Sequence, residues 1–417
     1  MANVEQALIE SSSASWQHRL CRSIMLKVFS SLPQGQVVIK ERGVLVDTFG
    51  KKDSDLHAEI DFQCLSVYQS LLFGGSIASG ETFSEGLWTT PNLTNVIRIF
   101  ARNLPLLDSW EAKMQWLAYP LRKIGHIANK NSTSGSKKNI AAHYDLGNKL
   151  YTRFLDDSMM YSAAIYPSPE ATLAQAQNTK LKTICEKLQL TPSDHLLEIG
   201  TGWGGLAVFA AKHYGCKVTT TTISEEQHQY TQQLIDREGL QHKITLLKKD
   251  YRLLEGKYDK LVSIEMIEAV GKEFLPNFFK KCSSLLKEQG LMMLQAITIS
   301  DQRFDSYSKS VDFIQKHIFP GGFLPSQLLI NQHLRKHTDM MIRDLHDIGL
   351  DYARTLKDWH HRLLENKEPL EKDGYDERFM NMWRYYFSYC EGGFLERTIS
   401  TVQLVISKPA FSQNISR

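Results

Sequence analysis

The stretch Leu196-Leu-Glu-Ile-Gly-Thr-Gly-Trp-Gly-Gly205 decides the fold. An apolar run of strand character enters a turn carrying Gly200, Gly202 and Gly204, and 206–214 continues as a helix. Glycines let the backbone turn without Cβ clashes and pass close to a ligand, so this strand, turn and helix predict a nucleotide-sized pocket. The turn taken alone is also compatible with a plain tight connection, the weaker of the two readings.

Working outward, strand-like segments at 196–199, 217–223, 244–247, 260–266 and 291–298 alternate with helical ones at 206–214, 225–239 and 277–288. That alternation predicts an α/β architecture, a doubly wound parallel sheet covered on both faces, with ligands gathering at the carboxyl ends of the strands. Residues 304–395 break the rhythm with aromatic, helix-prone sequence before a last strand at 401–407, and read as a helical cap inserted over the ligand edge. Phe379, Met382, Trp383, Tyr385, Tyr386, Phe387 and Tyr389 crowd one part of it, as core or as lining for a long apolar substrate.

A chain of 417 residues with 42% apolar content supports two domains. We expect a smaller mixed α+β domain at 1–125, a solvated Ser/Gly/Asn/Lys connector at 126–139, and the main domain at 140–417. The first domain reads as an amphipathic helix at 16–32, with Leu20, Ile24, Val28 and Phe29 on one face, then a hairpin around Glu41-Arg42-Gly43 and a strand at 57–63. A net charge of +3 from 49 basic and 46 acidic residues argues against a dedicated nucleic-acid binder. Six scattered cysteines without metal-ligand spacing, no secretory apolar segment and no long apolar run lead us to expect a cytoplasmic protein, free of metal; if it meets a membrane, it does so from one side.

The turn lacks Gly-x-Gly-x-x-Gly, the second strand ends in Thr219-Thr-Thr-Thr222-Ile-Ser224 without a ribose-binding acid, and no phosphate loop is present. These absences oppose a nicotinamide oxidoreductase. A cofactor without phosphates fits, and S-adenosylmethionine leads.

At this point the chain resembles the cyclopropane fatty acid synthase family. The resemblance rests on Gly80-Glu81-Thr82-Phe83, Gly86-Leu87-Trp88 and Arg102-Asn103, and on His143-Tyr-Asp-Leu-Gly-Asn148 and Met160-Tyr-Ser162. It continues through Phe319-Pro-Gly-Gly-Phe-Leu-Pro-Ser326 and Gly349-Leu-Asp-Tyr352. It implies a class I methyltransferase fold (Rossmann-like) with a lipid-binding cap, acting on the double bond of an unsaturated phospholipid acyl chain. It also implies a homodimer in transient peripheral contact with the inner face of the cytoplasmic membrane.

By the same resemblance Tyr161 and Ser162 hold the methionine end of the cofactor, with Glu198, Gly200 and Gly202 at the turn. Thr222 and Gln227 lie near the ribose, and Asp250 and Tyr251 toward the adenine. An alkene is a weak nucleophile, so the site must align it and shield a developing carbocation from water; Tyr161, Tyr352 and Trp203 are the aromatic candidates. Ring-closing members hold a bicarbonate-like anion, and the matching positions here read Ala163, Glu268, Gln295, Ile297 and Tyr352. Ala163 offers no thiol and Gln295 no imidazole, which makes bicarbonate a doubtful cofactor and leaves Glu268 as a base in its own right. Three readings stay open: ring closure, a methyl-branched or methylene product from the same first step, and a lipid-binding protein without turnover.

Overall fold

The computed structural model describes residues 15–110 and 147–415; the connector and residues 143–146 of the His143 motif lie outside them. The chain divides into two compact units, one of Met1–Gly125 with Lys367–Thr398, the other of His126–Asn366 with Ile399–Arg417.

The first unit holds β1 (Gln36–Glu41), β2 (Val44–Gly50), β3 (His57–Phe62) and β4 (Trp88–Thr89), in the order β2-β1-β3-β4. Its helix Trp16–Ser30 buries Cys21, Val28 and Phe29, whereas Leu20, expected on the apolar face, is exposed. Helix Glu377–Leu395 belongs to this unit. It packs on helices Ser66–Ser84 and Leu93–Arg102, with Tyr385 at 5.9 Å from Phe83 and Arg98 paired to Glu396 at 2.6 Å. The expected single cap over 304–395 is therefore divided. Trp383, Tyr385, Tyr386 and Phe387 are buried in a helix that is apolar on most sides, and such a helix is stable only when surrounded by its own core.

The second unit is built on β5 (His195–Ile199), β6 (Lys217–Thr222), β7 (Ile244–Lys248), β8 (Tyr258–Ile264), β9 (Leu286–Ile299), β10 (Met341–Asp347) and β11 (Ile399–Ser407). Their order is β10-β11-β9-β8-β5-β6-β7, with β5 to β9 parallel and β10 and β11 antiparallel. Strand β10 falls inside the stretch read as helical cap; its alternating burial marks it as an edge strand with one wet face.

Successive side chains point to opposite faces, and the core follows. Leu197, Leu261, Met292, Leu294 and Leu404 pack under helices Leu275–Leu285 and Gln327–His337; Leu196, Val262, Leu291, Met293 and Val405 pack against Leu173–Lys187 and Gly205–His213. On the second face the apolar rows give way to Glu198, Gln295 and Gln403, all buried. Buried polar residues there need partners, and those partners form the site.

Candidate active site

The glycine turn leaves β5 with Gly200 at φ +100, Gly202 at +54 and Gly204 at +87. A Cβ on Gly204 would lie 2.8 Å from Cγ2 of Thr231, so that glycine serves packing. A Cβ on Gly202 would meet nothing within 4 Å; there the turn faces open space. That open cradle at the carboxyl end of the central strand fits S-adenosylmethionine, as does the donor set around it.

Of that set, the Thr222 hydroxyl donates to Oε1 of Gln227 at 2.9 Å, and Ser224 caps the helix Glu225–Glu238. Asp250, two residues past β7, accepts from the Arg252 backbone N–H and guanidinium, and Tyr251 meets Phe278 edge-on at 5.6 Å. Glu198 points into the sheet, where Thr220 donates to it at 2.5 Å, and burial pushes its carboxyl up to about 8. Through Thr220, which also bonds Thr201, the residue between the first two glycines, Glu198 is linked to the turn.

Tyr161 lies in an aromatic enclosure. Its ring is 5.2 Å from Trp359, 5.4 Å from Tyr151, 5.9 Å from Phe154, 6.3 Å from Phe319 and 6.5 Å from Trp203 of the glycine turn. Tyr352 meets Trp359 edge-on at 6.0 Å. Ring faces attract positive charge without acting as nucleophiles, by about 2 kcal/mol where water is excluded.

Ser162 accepts from Nζ of Lys180 at 2.7 Å, and Gln177 donates to the Ser162 carbonyl at 3.0 Å. Lys180 is fully buried on helix Leu173–Lys187, and burial pulls its ammonium down to about 8 against the opposing pull of Glu265 and Asp156.

The positions matched to an anion site enclose a carboxylate of the protein itself. Oε1 of Glu265 accepts from the Ala163 N–H at 2.9 Å and from Nε2 of Gln295 at 2.7 Å; Oε2 accepts from the Tyr352 hydroxyl at 2.8 Å. Gln403, opposite Gln295 across β9 and β11, donates to Oε1 of Gln295 at 2.9 Å and so turns its amide N–H toward Glu265. Bicarbonate does not fit a donor set already occupied in this way.

Glu268 accepts the Ile297 N–H at 2.5 Å through Oε1, while its buried Oε2 has no hydrogen-bond partner among the described residues. Burial and the neighbouring Glu265 push it up to about 8; burial also raises Glu265, against which Gln295, Ala163, Lys180 and Tyr352 pull it down. Glu268 is the carboxylate expected as base, and Glu265, not anticipated from the sequence, stands beside it in the one segment Ser263-Ile-Glu-Met-Ile-Glu268 at the end of β8. That paired carboxylate was the available signal. Lys180 gave none, because a lysine on an amphipathic helix reads as a solvated charge.

Known proteins bear on the same site. Residues 131–404 match the family described as mycolic acid cyclopropane synthetase. The chain is 36% identical over 84% of its length to the cyclopropane-fatty-acyl-phospholipid synthase of Escherichia coli K12, covering 88% of that protein. It is also 36% identical over 77% of its length to the tuberculostearic acid methyltransferase UfaA1 of Mycobacterium tuberculosis, covering 76% of it. The crystal structure of mycolic acid cyclopropane synthase CmaA1 complexed with SAH and CTAB superposes with a TM-score of 0.61 at 28% identity, over 65% of this chain and 98% of that one. The chain belongs to the mycolic acid cyclopropane synthetase family and is a class I, S-adenosylmethionine-dependent methyltransferase.

Proposed function

We propose that this protein alkylates the double bond of an unsaturated phospholipid acyl chain and closes a cyclopropane ring. The observation that carries this reading is the aromatic enclosure of Tyr161, Trp359 and Trp203 beside the open glycine cradle. When bound, S-adenosylmethionine supplies an electrophilic methyl group. Ser162, held by Lys180, with Gly200, Gly202, Thr222, Gln227, Asp250 and Tyr251, positions that donor, and Glu198 braces the turn. The rings of Tyr161 and Tyr352 stabilise positive charge on the substrate and keep water from it. The name of the Escherichia coli relative supports a phospholipid substrate.

A second product is favoured by a specific observation: Ala163 and Gln295 replace the ring-closing residues that the resemblance implies, and one relative is named for methylation alone. Loss of a proton from a chain carbon beside the cation would then give a methyl-branched alkene, and a 1,2-hydride shift followed by loss of a proton from the transferred methyl a methylene chain.

We place the reaction at the inner face of the cytoplasmic membrane, with the protein a homodimer in peripheral contact. No helix among the described residues is long and apolar enough to cross a membrane, and Trp16 and Leu20 offer exposed apolar side chains one turn apart. Incubation of the full chain with labelled S-adenosylmethionine and vesicles of monounsaturated phospholipid, followed by mass spectrometry of the fatty acids, tests substrate and product together. A ring supports the main reading, a methylene or branched chain the second, and no label in lipid overturns both.

A further inference from the structure

Glu265 stands in the left-handed backbone region, at φ +48, immediately after the last residue of β8. A residue with a side chain pays about 1–3 kcal/mol there, and such strain persists only where surroundings over-determine it. The surroundings here are explicit. The Glu265 N–H donates to the Gln295 carbonyl at 2.8 Å, and its buried carboxylate accepts from three donors on three separate segments: Ala163, Gln295 and Tyr352. Gln403 fixes the Gln295 amide, and the buried Lys180 adds a positive charge. Charge-assisted bonds of this kind are worth about 1.5–3 kcal/mol each, enough together to hold the strained backbone. The arrangement is a receptor for a planar carboxylate, with its occupant tethered to the chain. Its neighbour Glu268 lacks an equivalent set: the Ile297 N–H reaches Oε1, and among the described residues Oε2 has no partner. The charge of Glu265 raises the Glu268 carboxyl, and of two coupled carboxyls the one with more donors keeps the charge.

We infer that Glu265 takes the place of a free bicarbonate and is the group that accepts the proton leaving the methylated substrate. This rests on the reaction proposed above. In ring closure a C–H bond of the transferred methyl breaks, its electron pair forms the third ring bond to the cationic carbon, and the proton passes to Glu265. In the branching outcome the pair from an adjacent C–H forms the new double bond and the proton goes to the same oxygen pair. No co-reactant is required. Glu268 retains its proton throughout and limits the pair to one negative charge.

The experiment compares the full-length wild type with E265Q and E265G in buffer stripped of carbon dioxide, adding bicarbonate or formate. Glycine is unstrained at φ +48, so E265G is expected to fold, with S-adenosylhomocysteine affinity within about twofold of wild type. Carbon-13 bicarbonate NMR should detect a bound anion in E265G and none in the wild type. Product formation by the wild type should be indifferent to bicarbonate, should fall by about 100-fold or more in both variants, and should recover with added anion in E265G alone. A wild type that binds or needs bicarbonate overturns the inference, as does wild-type turnover in E265Q. Absence of lipid methylation by the wild type would instead sink the substrate reading and the proton-acceptor role with it, while the NMR result still decides who occupies the anion's place.

Discussion

The Tyr352 hydroxyl donates to Oε2 of Glu265 at 2.8 Å, joining the helix Gly349–Glu365 to the exit of β8. A donor to the charged form lowers a carboxyl's pKa. Tyr352→Phe removes it, so Glu265 holds its proton to higher pH, and the low-pH limb of product formation should move upward. Turnover at neutral pH should fall about tenfold, near 1.4 kcal/mol, with S-adenosylhomocysteine affinity unchanged by calorimetry. A pH profile that does not move would show that this contact leaves the proton acceptor unaffected.

The two turn glycines separate cofactor space from packing. Gly204→Ala drives a Cβ to 2.8 Å from Thr231 at φ +87, and should lower the melting temperature by several degrees. Gly202→Ala enters open space and carries only the left-handed penalty of about 1–2 kcal/mol. Its main effect should be a loss of S-adenosylhomocysteine affinity of about tenfold or more. Equal affinity in Gly202→Ala and wild type would remove the cofactor from that cradle.

The ring of Tyr161 lies within 6.5 Å of Tyr151, Phe154, Trp203, Phe319 and Trp359. If its face serves the cation, Tyr161→Phe keeps most of the turnover, whereas Tyr161→Leu loses about 30-fold, near 2 kcal/mol. Steady-state rates on phospholipid vesicles distinguish this from a hydroxyl role, in which phenylalanine would be as damaging as leucine.

Glu198 sets a pH dependence of stability. Burial raises its folded pKa to about 8 from an ordinary value near 4.5, so its contribution is fully present below the ordinary value and is lost as pH rises through about 8. The loss is on the order of a few kcal/mol. Glu198→Gln keeps the shape without the ionisation, and its melting temperature should gain on the wild type steadily between about pH 5 and pH 9. A constant difference across that range would mean that Glu198 is ionised in the folded protein.

Much of the sheet was legible before any coordinates. The strands expected at 196–199, 217–223, 244–247 and 291–298 appear as β5, β6, β7 and β9 within a few residues; for β5, β6 and β9 the reason is that a strand buried on both faces reads as an uninterrupted apolar or β-branched run, and the edge strand β7 carries its own short run Ile244-Thr-Leu-Leu247. The 260–266 strand stops at Ile264, and that shift matters: it places Glu265 and Glu268 in the loop where ligands gather. Strand β10 was hidden because an edge strand, half polar and set among helices, has a weaker pattern than a central one.

By itself the sequence determined the α/β sheet, the glycine cradle and the choice of a phosphate-free cofactor, since each is written in contiguous residues and local periodicity. Only the tertiary structure decided which carboxylate holds the charge, that Lys180 is buried against Ser162, and that the 377–395 helix packs in the first unit. Those outcomes depend on partners distant in the chain: Glu265 is 102 positions from Ala163, 30 from Gln295 and 87 from Tyr352. Desolvation and hydrogen bonding set the proton's location, and both are properties of what folding brings alongside a residue.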